Sequence, residues 1–479
     1  MAGRCARAVS AGVFRMVHLR TWWTLALVPL IAGCTLKPQW PDPELNAARL
    51  TGESELIAVD TTGGTLDAPA IAGDSLRRAD AIRMALTTSP AIQAALARVR
   101  QAYAEAHQER LLPNPVLTVV LKFPTSGGAP TVEPGIAADL LALLQKPSKV
   151  EAADHRLRAA SAEAVVVVLD VFTQVQDRYA QVQALEAVMP VLEERRRLTD
   201  RLLEVARSRL KGGEGTRLDV TTLETQKVEL EVEIAEQQLE RREARLELAR
   251  LIGRPSGSTE WRLDGWSEPT LGGPDERAWV QAGLDHRPEV TAKMWELKAL
   301  GVEFRQARWG VLEGTEVGVD AEGTAESGAD EWSVGPSLVV PLPIFDWGQA
   351  KRDLITARRL EVAHQLTETR RQVVEDVRRA YAAFRSVTDA RQRVCDELIP
   401  LLERRRSEAE SQYRAGQSDI IPLILADQDL QTARAKLIEL ERRTAVSLSR
   451  LQRAVGGPGV SAASPATQPS SAPSTQPSK

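Results

Sequence analysis

One plan is used twice along this sequence, and that repetition limits the folds open to it. The segments ARSRLKGGEGTRLD (Ala206–Asp219) and AESQYRAGQSDIIP (Ala409–Pro422) align Gly213 with Gly416 at an offset of 203 residues. Downstream, Arg250-Leu-Ile-Gly253 lies opposite Arg453-Ala-Val-Gly456 at the same 203. The helix between these landmarks therefore has one length in both copies. Upstream, Pro90 aligns with Pro288 and Arg110 with Arg308, at an offset of 198. Two copies, spanning 74–253 and 276–457 and separated by an inter-repeat segment 254–275, are the economical reading.

Each copy reads as a helix, two strands and a long helical hairpin. Glu151 to Lys211 contains no Gly and one Pro, so its 61 residues reach roughly 90 Å at the helical rise. Gln349 to Ala415 carries only Pro400 and is longer still. Return helices are expected from Thr216 to Ile252 and from Ile420 to Val455. Their apolar residues follow the 3-4 rhythm of a coiled coil, at Val228, Val232, Ala235 and Leu239 and at Leu430, Ala433, Leu437 and Leu440. The first helix is expected over Asp74–Leu111, capped by Asp74 and divided at Pro90.

Between these helices the period changes to two. Val116–Phe123 alternates, the Gly-rich stretch Pro124–Pro130 forms a loop, and a return strand is expected from Thr131 to about Leu144. In the second copy the strands are expected over Glu316–Ala325 and Trp332–Phe345. Copy one has Pro113 and Pro115 ahead of its first strand, where copy two has Leu312-Glu313-Gly314. Segments of about ten alternating residues suit transmembrane β-strands. Four strands cannot close a barrel, and an open edge in lipid costs several kcal/mol per unsatisfied backbone group. The strands therefore require further chains.

The N-terminus reads as an export signal, residues 1–33, with Met16 as an alternative start. Basic Arg4, Arg7, Arg15 and Arg20 precede the apolar run Trp22–Ala32. Ile31, Ala32, Gly33 and Cys34 then resemble a bacterial lipobox, in which peptidase cleavage leaves Cys34 acylated as the new N-terminus. A plain signal peptide with an incidental cysteine is the alternative. Thr35 is compatible with transfer to the outer membrane, since Asp at that position tends to mark inner-membrane retention. Residues 34–73 would form a lipid-anchored segment, and the Ser/Pro/Thr-rich stretch 458–479 a disordered tail. The mixed segments Pro41–Leu66 and Arg254–Asp275 are expected to form a band around the middle of the helices.

Several function classes are disfavoured. A net charge of −4 gives no electrostatic footprint for nucleic acid. Three cysteines, two of them in or at the edge of the leader, leave only Cys395 in the body, so no disulfide framework is available. Five scattered histidines supply no metal-ligand spacing. No nucleophile–base constellation or phosphate loop is present, so the chain reads as a non-enzyme without cofactor or metal.

Together, the lipobox, the duplicated plan, PSLVVPLPIFDWGQAKRDLITA (Pro336–Ala357) and YRAGQSDIIPLILADQDLQTARAKLIEL (Tyr413–Leu440) resemble outer-membrane efflux proteins of the TolC type. The resemblance spans Asp74–Gly457. It implies a mainly α fold with membrane β: a homotrimer in which each protomer gives four strands to a shared twelve-stranded β-barrel, continuous with a long periplasmic α-barrel. It implies an outer-membrane, lipid-anchored location, a periplasmic adaptor and an inner-membrane pump of RND or ABC type as partners, and passive export of small molecules or metal ions. Export of polypeptides in a type I system is the alternative cargo; a coiled-coil scaffold without a channel is the third reading. The resemblance places the adaptor-contacting hairpin tips at Gly213 and Gly416. Family members often carry acidic residues just past the second tip, forming a cation-selecting ring. The matching positions here are the uncharged Pro422 and Leu425, so Asp419 or Asp427, with Asp219 past the first tip, are the candidate entrance acids.

Overall fold

The computed structural model describes residues 63, 74–123, 125, 130–266, 275–324, 331–415, 417–418 and 420–458. The expected leader, Cys34, the anchor segment apart from Gly63, Gly416, Asp419 and the tail after Pro458 lie outside the described residues. The first copy supplies β1 (Ser75–Leu76), α1 (Arg78–Thr88), α2 (Pro90–Gln108), β2 (Val116–Lys122), β3 (Thr131–Asp139), α3 (Leu140–Lys211) and α4 (Arg217–Leu251). After β4 (Arg262–Leu263) the order recurs: α5 (Glu276–His286), α6 (Pro288–Ala307), a 3-10 turn at Gly310–Leu312, β5 (Glu316–Thr324), β6 (Glu331–Val339) and α7 (Gln349–Arg393). A π turn (Val394–Leu398), α8 (Ile399–Arg414) and α9 (Ile420–Val455) complete it.

Two compact units result. One contains Tyr103–Asp154 and Ala299–Thr356; the other contains His155–Lys298 and the chain from Ala357, together with the described residues up to Ala102. In the first unit the strands form one antiparallel sheet, ordered β2-β3-β5-β6. Leu117, Ile136, Val319 and Pro336 lie in one row across it. An ion pair between Arg110 and Asp154, at 2.8 Å, ties the turn after α2 to α3, and one between Lys351 and Glu313, at 2.9 Å, ties α7 to the turn ahead of β5.

The second unit is held by long helices sharing apolar seams. Its largest core gathers Leu76, Ile92, Val175, Tyr179, Leu248 and Ile252. The Tyr179 hydroxyl donates to the Leu76 carbonyl at 2.8 Å and accepts from the Asp264 amide at 2.9 Å. That fixes the short parallel pair β1–β4 against α3. Burial, with a smaller contribution from nearby Asp264, pushes the Tyr179 phenol up to about 12 despite the Asp264 amide bond, so it stays a donor. α3 has an apolar stretch long enough to cross a membrane, half of it buried. Its Val168, Val171, Phe172 and Val175 lie in the core just described.

Matched glycines do the same work in both copies. Gly253 and Gly456 have φ of 76° and 103°. Each is followed by an amide that reaches back five residues, Arg254 to Ala249 at 2.8 Å and Gly457 to Gln452 at 2.8 Å. This is the Schellman arrangement, which needs a left-handed residue and so favours glycine.

Several boundaries differ from expectation. Asp74 does not cap a helix. Its carbonyl accepts from the Arg262 amide at 2.8 Å, and α1 begins four residues later. The expected division at Pro90 is present, between α1 and α2. The return strand of copy one stops at Asp139, not Leu144. Asp139 accepts from the Ala142 amide at 2.8 Å, and this cap turns the apolar run that follows into the first turn of α3. In copy two, Pro341 and Pro343 withhold ladder donors, so β6 ends at Val339 and not Phe345. The helix expected from Gln349 to Ala415 opens into the π turn before Pro400, which has no amide to give to the preceding turn.

Candidate functional site

Register divides the sheet into two chemically distinct faces. Directly opposed residues share a face, and alternate residues change face. One face carries Leu117, Leu121, Ile136, Val319, Val334 and Leu338, and all are exposed, Val334 at 67% and Leu117 at 66%. A soluble protein rarely leaves so large a contiguous apolar surface uncovered. The other face carries Thr118, Lys122, Glu133, Asp320, Glu322 and Ser337, with Val116, Val120 and Val339 on the two outer strands and small residues between. Lys122 pairs there with Glu133. The outer edges of β2 and β6 have no strand neighbour among the described residues.

At the first hairpin turn, Gly213 has φ 78°. The Gly213 amide donates to Leu210 at 3.2 Å and the Glu214 amide to Arg209 at 2.9 Å, so α3 ends in another Schellman turn. α4 then starts at a reciprocal cap. The Asp219 amide donates to the Thr216 hydroxyl at 3.2 Å, and the Thr216 amide donates to the Asp219 carboxylate at 3.1 Å. Asp219, a candidate entrance acid, is thus engaged as a helix cap. At the second turn the Gln417 amide reaches Gln412 at 2.9 Å.

Asp427 is inside the helical unit and is 3% exposed. It lines a small cavity with Arg195, Thr199 and Leu202 of α3, Gln226 of α4, and Ile424 and Gln428 of α9. The Arg406 guanidinium of α8 is 3.2 Å away. Burial raises the Asp427 carboxyl above its ordinary range; Arg406 and a hydrogen bond with Gln431 oppose that without cancelling it. Pro422 and Leu425, where the family places its acids, are both exposed, Leu425 at 48%. Sequence reasoning placed Asp427 at an entrance because of its distance past Gly416. Its neighbours Ala426 and Leu430, both fully buried, were the available signal that this side of α9 faces inward.

A charged junction elsewhere in the same unit joins residues far apart in the chain and has no local sequence signal. Arg453 of α9 binds Asp170 of α3 at 2.8 Å and Glu289 of α6 at 2.7 Å. Arg287 binds Glu289 at 3.2 Å and Asp376 of α7 at 2.8 Å. Burial alone would raise Glu289, but Arg453 and Arg287 outweigh it and hold the carboxyl below its usual range.

The apolar stripe read on α4 is not the one buried within the chain. Val228, Val232 and Leu239 are exposed, at 60%, 53% and 57%. Leu223, Leu230, Ile234, Ala244 and Leu248 are buried instead. The two stripes lie nearly opposite on the helix, because a step of two residues turns it by about 200°.

A sheet with one uncovered apolar face, combined with long helical hairpins in a duplicated chain, defines a membrane channel-type protein. The chain belongs to the outer membrane efflux protein family, whose family model matches residues 81–254 and 279–457. That family is one of efflux channels and not of enzymes. Solved structures agree on the fold. The outer membrane protein VceC of Vibrio cholerae is 20% identical, with a TM-score of 0.65 over 79% of this chain and 96% of that one. The outer membrane channel MtrE of Neisseria gonorrhoeae is 18% identical, with a TM-score of 0.65 over 88% and 98%. The channel CmeC of Campylobacter jejuni is 13% identical, with a TM-score of 0.65 over 86% and 94%. No curated protein matches by sequence.

Proposed function

We propose that three copies of this chain form a passive export duct of the outer membrane, with each protomer giving its four strands to one twelve-stranded barrel. The observation that carries this is the sheet: among the described residues it has an uncovered apolar face, a more polar face behind it and two outer edges without a strand neighbour. Lipid accepts the apolar face, and only closure with other copies satisfies the edges. The exposed stripe of α4, opposite its buried one, supports the same arrangement for the helices, since a helix in a closed ring needs two seams. The structures called outer membrane channels in the two relatives named last point the same way.

In this reading the hairpins form an α-barrel in the periplasm. The turns at Gly213 and Gly416 meet an adaptor, and an inner-membrane pump of RND or ABC type supplies the energy. The cargo is small molecules or metal ions. Cys34 carries the acyl anchor after residues 31–33 have guided cleavage, and 74–253 and 276–457 are the two repeats. Planar-bilayer recording with purified full-length protein tests the duct: discrete conductance steps are expected, and their absence would contradict it. Radiolabelled palmitate is expected in the wild type and lost in Cys34→Ser; equal labelling would refute the anchor.

A further inference from the structure

The apolar face of the sheet is shorter than the membrane it would have to cross. Along β6 it runs from Trp332 to Leu338, about 20 Å of strand. Strands of membrane barrels tilt by roughly 40°, which leaves about 15 Å of height against an apolar band of about 25 Å. At the end marked by Phe123 and Trp332 the chain offers little more, since 124–129 and 325–330 contain no large apolar side chain.

The missing height is available at the helical end. The chain leaving β6 reads Val340-Pro-Leu-Pro-Ile-Phe345, and Leu342 and Phe345 are 77% and 91% exposed. Hydrogen bonds frame this turn. The Ile344 amide donates to the Leu342 carbonyl at 2.9 Å, the Gly348 amide to the Asp346 carboxylate at 2.8 Å, and Arg352 to the Trp347 carbonyl at 3.1 Å. A braced turn thus holds Phe345 in the open, and apolar side chains so held mark a contact surface. The start of α3 matches this turn in depth. The Leu140 amide donates to the Thr315 carbonyl at 2.9 Å, one residue beyond the Glu316–Val339 row that ends the ladder. Leu144, 70% exposed, comes one helical turn later. By the rises of helix and extended chain, Leu144 and Leu342 both lie up to roughly 10 Å past that last row, which equals the shortfall.

Cations and indoles come next along both segments. Lys146 and Lys149 follow Leu144, and Trp347, Lys351 and Arg352 follow Phe345. The turn carrying Trp309 packs on the second segment: a side chain at Gly310 would meet Lys351, and one at Gly348 would meet Val311. Both indoles are exposed. Indoles and cations beside an apolar rim suit the headgroup level of a bilayer, where Trp is enriched and the phosphates are anionic.

We infer that the lipid-facing surface extends past the sheet. A collar of Leu144, Leu342, Ile344 and Phe345 is immersed in the phospholipid acyl chains of the leaflet facing the periplasm, with Trp309 and Trp347 at its headgroups. The inference rests on the channel reading above, in which the apolar face of the sheet meets lipid.

Site-directed spin labelling tests the collar. Leu144→Cys and Phe345→Cys are made in a Cys395→Ser background of the full-length protein, with Leu338→Cys as the reference on the sheet. Each labelled protein is placed in phosphatidylethanolamine/phosphatidylglycerol vesicles, and heat-modifiable gel migration checks that it assembles. Oxygen concentrates among acyl chains and a nickel chelate in water. Labels at 144 and 345 are expected to collide more with oxygen than with the chelate, as at 338. If one collar variant fails to assemble, the other carries the test. The opposite order would place the collar in water, and loss of both kinds of collision would place it against another copy. Either result overturns the collar and leaves the duct standing. Anything but an oxygen excess at 338 would overturn the lipid-facing sheet, and the collar with it.

Discussion

The two return helices are nearly the same length and carry the same apolar rhythm, yet they use it differently. α9 has 36 residues and buries sixteen of them, including Leu430, Ala433 and Leu440. α4 has 35 residues and buries seven, while Val228, Val232 and Leu239 lie open. The seam of α9 is closed by its own chain. The second seam of α4 is complete in sequence but has no cover among the described residues. Periodicity reveals that a helix has a seam; the rest of the structure decides whether the partner is the same chain or another.

Substitutions on these seams separate the two cases. Leu430→Asp places an unpaired charge in the closed seam at a fully buried position and is expected to cost more than about 4 kcal/mol. Loss of the helical circular-dichroism signal would register it. Val228→Glu/Val232→Glu/Leu239→Glu should leave that signal intact and abolish assembly on native gels. If this triple variant unfolds, or assembles normally, the distinction between the helices is wrong.

Smaller effects sharpen the picture within each hairpin. Arg453→Met leaves Asp170 and Glu289 without their shared partner and is expected to lower stability by about 3 kcal/mol. Acid should act on Glu289 and Asp427 with opposite sign. Glu289 titrates below its ordinary value, so its stabilisation is complete above that value and is lost as pH falls through the lowered one. Asp427 titrates above its ordinary value, so stability is gained as pH falls through the raised one. In melting curves from pH 7 down to pH 3, the advantage of wild type over Glu289→Gln should shrink below about pH 4.5, and its standing relative to Asp427→Asn should improve. Either difference moving the other way would contradict the assignment. The smallest expected change is about 1 kcal/mol for Asp219→Ala, from the lost cap of α4, read as a small drop in melting temperature.

Much of this was legible in the residues. Alternation located β2, β5 and β6, because a sheet with one apolar face imposes period two; β3 was legible only as the return after the Gly-rich loop, since Pro134 and the run from Ala137 blur its period. Matched glycines located the helix ends, because a left-handed turn residue has few substitutes. What was not legible depended on contacts between distant segments. Asp74 reads as a cap until Arg262 is brought beside its carbonyl. The run from Leu140 reads equally as strand or helix, and the Asp139 cap decides it. Val228 and Leu230 are equally apolar, so composition did not identify the inward one. Asp427 resembled an entrance acid from its sequence position alone, whereas Arg406 and the surrounding helices hold it inside.

Native mass spectrometry of the full-length protein released from detergent tests the shared barrel most directly. A complex of three chains is the predicted result, with monomers appearing only when the open seam of α4 carries the three glutamates. A wild-type protein that remains a single chain while retaining its sheet would contradict a barrel built from pooled strands.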